Sequence, residues 1–176
     1  VREAEDLRVS SGTPKSYLPI DGLAAYDKAV RDLVFSSACK ALNENRIVTL
    51  QALGGTGGLK IGADFLKQIS PGATVWISEP SWENHRALFE GAGFPVKEYP
   101  YYDSKTHGLN FEGMLGALQK MPAGAIAVLH SCCLNPTGVD LTRDQWQQVL
   151  EVVMARGIVP FLDLAYQGFA EGADAD

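Results

Sequence analysis

The chain has 176 residues, 46% of them hydrophobic and 20% charged, with a formal charge of −6 at pH 7. That is enough for one domain with a real core, and the acidic balance, with a pI near 5.0 and no clustered Lys and Arg, excludes nucleic acid as the main partner. No apolar run approaches the length of a membrane span and nothing at the start resembles a signal peptide, so a cytoplasmic protein away from membranes is expected.

Residues 1–22 are polar and turn-rich (SSGTPKSYLPIDG) and are expected on a surface or against a neighbouring subunit, with Tyr17 and Leu18 their most distinctive side chains. A helix is expected from about Leu23 to Asn45. IVTLQAL then reads as a strand that runs into GGTGG at 54–58. LKIGADFLKQI follows as a helix, with polar residues so confined that all but one narrow face should be buried. TVWIS (74–78) is a strand, EPSWENH leads into a helix through Ala92, PVKEYPYY is extended and DSKTHG turns. A helix covers about Phe111 to Met121, and AIAVLHSCC (125–133) is a buried strand ending at LNPTG. Thr142 and Gln145 form a capping box, Trp146, Val149, Leu150 and Val153 an apolar stripe, and Gly157 a stop. The last strand, Ile158–Leu162, delivers Asp163, and its unbroken apolar run suits a strand buried on both faces. Strands alternating with helices predict a doubly wound, mostly parallel α/β sheet in a three-layer α/β/α arrangement.

In such a sheet the residues after each strand come out on one edge, where ligands bind. A glycine-rich turn opening a helix is a ready anion site, and Thr56 adds a hydroxyl, although glycines also serve tight turns. The GxGxxG pattern fails because its third glycine position is Lys60, and no glycine is followed by Lys and then Ser or Thr. Glu79, at a strand end, is the one feature favouring a Rossmann-type, NAD-binding oxidoreductase. A phosphohydrolase with Asp163 as nucleophile lacks its second acid, since Ala165 stands there. Trp82 offers a flat face, Asn135 an amide before Pro136, Tyr166 a phenol and Asp163 a strand-end carboxylate. Each has a bland alternative: core packing, a turn, or a cap. Together they describe a site for a flat, phosphorylated, nitrogen-bearing ring. Cys39, Cys132 and Cys133 have no CxxC spacing and suit buried thiols, and no metal site is expected.

GGTG, PSWENH, HSCCLNPTG and LDLAYQGF, in this order and at these spacings, resemble the fold type I aminotransferases of the aspartate and aromatic amino acid group, which use pyridoxal 5′-phosphate (PLP). The resemblance runs from YLPIDG to YQGF. It implies a homodimer acting on amino acids and 2-oxo acids, with residues 23–176 forming part of the large PLP-binding domain and residues 1–22 a segment at the dimer interface. By the same resemblance Gly55 and Thr56 bind the cofactor phosphate and Trp82 stacks on its ring. Asn135 and Tyr166 meet the phenolic oxygen, Asn135 and Trp82 also face substrate, and Asp163 keeps the ring nitrogen protonated. His85 and His130 orient that carboxylate, and Tyr17 reaches the phosphate of the partner subunit. The bonds before Pro80 and Pro136 are expected cis. The family's Schiff-base lysine has no counterpart, since no Lys follows Lys120. The chain is therefore expected to be a segment that does not turn over alone, or else a catalytically silent PLP-fold binding protein. Leu134 stands where many relatives have His. YLPIDGL, WENH and the final strand lean towards the aromatic branch.

Overall fold

In the computed structural model the described residues are 1–12, 16–35 and 39–176. They form two units, Val1–Ala52 and Leu53–Asp176.

The first unit departs most from expectation. Where polar composition suggests turns, Arg2–Ser10 form helix α1, whose Glu3 and Glu5 in the first turn and Arg8 in the last complement the helix dipole. The helix expected over 23–45 is instead α2 (Ala24–Val34) and α3 (Lys40–Asn43), because the backbone turns extended at Phe35. Residues 36–38, within that span, lie outside the described residues. IVTLQAL forms no strand. The Gln51 N–H donates to the Asp21 carbonyl at 2.9 Å and its side-chain oxygen accepts from the Leu23 N–H at 3.0 Å, while Val48 and Leu50 stay exposed. Apolar, β-branched composition is a preference that ladder pairing must complete, and here the segment bonds to a turn instead.

The second unit contains α4 (Gly54–Ile69), β1 (Val75–Glu79), α5 (Glu83–Gly91), β2 (Val96–Pro100), the pair β3 (Tyr102–Asp103) and β4 (Gly108–Leu109), α6 (Phe111–Leu118), β5 (Ile126–His130), α7 (Arg143–Arg156) and β6 (Val159–Asp163). The main sheet has the order β2-β1-β5-β6, and each neighbouring pair runs parallel. The antiparallel β3–β4 pair brackets the DSKTHG turn. This is the doubly wound α/β architecture expected from the alternation of elements.

Side-chain alternation along β5 divides the core into two layers. Ala127 and Leu129 pack with Met114 and Leu118 of α6 and Val149 and Val153 of α7. Ile126 and Val128 pack on the other face with Ala63 of α4, Phe89 of α5 and Val75 and Ile77 of β1. Helices therefore cover both faces, and β5 is buried throughout. Helix α7 carries the expected capping box, with the Thr142 hydroxyl accepting from the Gln145 N–H at 3.3 Å, and ends at Gly157 at φ 63°.

Two burial expectations fail. Helix α4 buries only Leu59 and Ala63, and Ile61, Phe65 and Ile69 form an exposed apolar line one turn apart. Strand β6 is at the edge of the described sheet, so Pro160 and Leu162 are exposed while Val159 and Phe161 pack inward. A proline is tolerated on such an edge. The glycines of GGTGG do not precede the helix but form its first turn, starting at Gly54 with φ 67°. Among the described residues no helix is long and apolar enough to cross a membrane.

Candidate active site at the carboxyl edge of the sheet

The parallel register of β5 and β6 pairs His130 with Asp163, which brings both side chains to the carboxyl edge. Helix α5 begins beside them. Trp82 is its N-cap residue, and His85, fully buried, packs its ring against Trp82 at 5.5 Å and 89° and against His130 at 5.0 Å. The peptide bonds before Pro80 and Pro136 are both cis. A cavity of about 160 Å³ opens here, lined by Gly55, Leu59, Trp82, His130, Asn135, Asp163, Ala165 and Tyr166. Six of the residues singled out from the sequence thus meet in one cavity. Thr56 is on the same first turn of α4 but is not part of the lining, His85 lies behind Asp163, and Tyr17 is an exposed residue of the first unit. Glu79 faces elsewhere: its carboxyl group meets Glu98, whose hydrogen bond and charge raise its pKa, and Arg86 stands close by.

A hydrogen-bonded chain runs into the cavity from behind. His85 Nε2 is 2.8 Å from Asp163 Oδ2, and His85 Nδ1 is 2.9 Å from Ser81 Oγ. An ionised carboxylate can only accept, so Nε2 carries a proton, and in the neutral tautomer that this leaves, Nδ1 accepts from the Ser81 hydroxyl. The His85 hydrogen bond holds the Asp163 carboxyl below the usual range despite partial burial, helped by the two imidazoles. Asp163 is only 14% exposed and remains charged at neutral pH. Ser81 was not singled out from the sequence. It precedes the N-cap of α5, where a hydroxyl can reach back to a side chain of the first helical turn. Asp140 was missed as well. Its two oxygens accept from the Cys133 and Leu134 N–H groups at 2.7 and 2.9 Å and fix the loop that carries Asn135.

His130 differs from its neighbour. It is 8% exposed, and neither ring nitrogen has a hydrogen-bond partner among the described residues. Burial, and then the neighbouring His85, push its pKa down to about 4, against smaller opposing effects of Asp163 on β6 and Asp140 after β5. The ring is therefore neutral when folded but takes a proton when unfolded, so stability falls as pH drops from about 6.5 towards 4. Asp163 acts in the same direction at lower pH, since a depressed carboxyl pKa contributes stability that is lost on acidification. Wild type should lose about 3 kcal/mol more than His130→Gln between pH 7 and pH 4, at about 1.4 kcal/mol per pKa unit. Urea midpoints across that range check this, and parallel curves would refute it.

A larger groove of about 390 Å³ lies between β6 and α7, walled by Leu129, Leu141, Trp146 and Leu150. Its charged groups are already engaged: Arg143 pairs with Glu171 at 3.8 Å, and Asp176 accepts N–H groups of Gly168, Ala170 and Glu171. Cys132, buried beside it, has its thiol pKa pushed up to about 12 by burial, which suits an inert core thiol. The smaller cavity, with its convergent polar groups and charged carboxylate, is the chemical site.

The family model for "Aminotransferase class I and II" matches residues 1–176. This chain belongs to that family. An aspartate aminotransferase of Pseudomonas aeruginosa is 57% identical to this family member over 176 residues, covering 100% of the chain and 44% of the relative. An aromatic-amino-acid aminotransferase of Escherichia coli K12 is 51% identical over 160 residues, 91% of the chain and 40% of the relative. A crystal structure of the aromatic-amino-acid aminotransferase from Burkholderia pseudomallei, covalently bound to pyridoxal phosphate, matches with a TM-score of 0.95 and 61% identity, over 99% of this chain and 44% of that one. The chain thus spans less than half the length of these relatives.

Proposed function

We propose that this chain forms the pyridoxal 5′-phosphate site of an aminotransferase that moves an amino group between an aromatic or acidic L-amino acid and a 2-oxo acid, in a cytoplasmic homodimer. What carries this is the ionised Asp163, backed by His85 at 2.8 Å, in one cavity with Trp82, Asn135, Tyr166 and the first turn of α4. The donor set suits the cofactor. Asp163 Oδ1, the Asn135 amide and the Tyr166 hydroxyl make no hydrogen bond among the described residues, and a Cβ added at Gly55 would meet nothing within 4 Å. Unpaired N–H groups of a 16-residue helix favour an anion at that end.

In this assignment Gly55 and Thr56 hold the phosphate. Trp82 covers one face of the ring and keeps water from it. Asn135 and Tyr166 hydrogen-bond the phenolic oxygen, and Asn135 also faces the substrate carboxylate. Asp163, kept ionised by His85, holds a proton on the ring nitrogen, while His130 packs beside that pair. Tyr17 reaches the phosphate from the partner subunit, with residues 1–22 at the interface and 23–176 in the large domain. When bound, PLP supplies a conjugated ring that takes up the electrons released when the substrate Cα–H bond breaks. Among the described residues no lysine lines the cavity, and in this reading the chain binds PLP non-covalently and does not turn over by itself.

Titrating the chain with PLP while following tryptophan fluorescence tests this. Saturable quenching is expected with PLP and not with NAD, much reduced in Trp82→Phe. A folded chain that ignores PLP overturns the assignment, and a response to NAD instead points to an oxidoreductase.

A further inference from the structure

The pairing of β5 with β6 and the packing of α5 onto them put three donors of metal-binding type together: His85, His130 and Asp163, with one ligand atom from each lying within 4.8 Å of the others. Two are buried imidazoles and the third is a charged carboxylate. The second, independent observation is His130 itself, whose two ring nitrogens are buried and unpartnered among the described residues. An unpaired polar atom in the interior costs free energy, and a ligand is one way to recover it.

We propose that this chain, free of cofactor, binds one divalent transition-metal ion of the zinc or cobalt type through His85 Nε2, a ring nitrogen of His130 and an Asp163 carboxylate oxygen. Two imidazoles and one carboxylate with an open position are a usual zinc set, and hard ions such as Mg²⁺ or Ca²⁺, which take oxygen ligands, are disfavoured. Around a tetrahedral ion with bonds of about 2.1 Å, ligand atoms stand about 3.4 Å apart. His85 and Asp163, at 2.8 Å, separate slightly, and His130 closes in. Starting from the neutral tautomer of His85, no proton need leave the protein. The His85 proton moves from Nε2 to Nδ1 and is accepted by Ser81 Oγ, now 2.9 Å away, which gives a metal-bound histidine its usual outer partner. The fourth position opens on the cavity, which His130 and Asp163 line, and takes a water. Metal binding takes the carboxylate assigned above to the ring nitrogen, so metal and cofactor exclude each other. That exclusion rests on the cofactor assignment, whereas metal binding does not.

The test is titration of the chelator-treated, cofactor-free chain with Co²⁺ alone, read by visible absorption. One equivalent is expected to give the bands of a low-coordinate ion without thiolate charge transfer, which excludes the cysteines. His130→Ala and Asp163→Asn should each weaken binding roughly 100-fold or more, by comparison with the 10–100-fold lost on removing outer partners. Ser81→Ala, which keeps all three ligands, should cost roughly 10-fold. His107→Ala, which removes the remaining histidine, should leave the bands unchanged. Far-ultraviolet circular dichroism checks that each variant is folded. No bands from the folded wild-type chain, bands that survive His130→Ala, or bands lost in His107→Ala would each overturn the proposal.

Discussion

Asp163→Ala is expected to weaken PLP binding to this chain by about 30- to 150-fold, as read by tryptophan quenching. Removing one partner of a hydrogen-bonded charge pair costs about 2–5 kcal/mol. The group is partly open to the cavity, so the lower half of that range, about 2–3 kcal/mol, applies at about 1.4 kcal/mol per decade. Part of the loss comes from His85, fully buried, whose Nε2–H loses its acceptor. Asp163→Asn separates the two effects. The amide still offers an oxygen to His85 but carries no charge to hold a cationic ring nitrogen. If charge dominates, Asn and Ala are equally poor. If the orientation of His85 dominates, Asn recovers most of the affinity. PLP affinity unchanged in Asp163→Ala would remove the carboxylate from the site.

Legibility followed the range of the interactions involved. The capping box at Thr142, the stop at Gly157 and the buried strand β5 are set by neighbours within a few residues, and they stand where spacing put them. Elements whose fate depends on distant partners did not read as well. IVTLQAL has a strand's composition, yet its backbone bonds to Asp21. The apolar line Ile61, Phe65 and Ile69 reads as core, yet hydrophobic periodicity cannot say which face of a helix a neighbour will cover. Strand β6 looks buried on both faces because sequence carries no information on edge position, which is fixed by the order β2-β1-β5-β6. The same split applies to the site. Asp163 was visible as a strand-end carboxylate in need of a partner, because burying a charge alone is too costly. Its partner, 78 residues earlier in the chain, could be named only through resemblance, and Ser81 not at all.

The second large effect ties the fold to the chemistry. Phe89→Ala should destabilise the chain by about 3–5 kcal/mol, the usual cost of truncating a buried Phe. With a urea slope of about 2 kcal/mol/M that is a midpoint shift of about 2 M, a large part of a stability of about 5–15 kcal/mol. Phe89 is fully buried and meets Phe161 edge-on at 5.2 Å and 83°, and Phe94 at 6.3 Å. Its position is informative. Phe89 lies one turn beyond His85 on the same buried face of α5, and Phe161 lies two residues before Asp163 on β6, so this ring contact holds the helix against the strand that carries the carboxylate. Loosening it should lengthen the His85–Asp163 hydrogen bond as well as open a void. Phe89→Leu, which keeps most of the volume, should cost less than about 1.5 kcal/mol. Under conditions where both variants are folded, PLP affinity should fall for Ala and stay near wild type for Leu. A Phe89→Ala chain within 1 kcal/mol of wild type by urea unfolding (a limit set well under the roughly 3 kcal/mol expected) would show that α5 is held on β6 by other contacts, and the coupling of core to carboxylate would go with it.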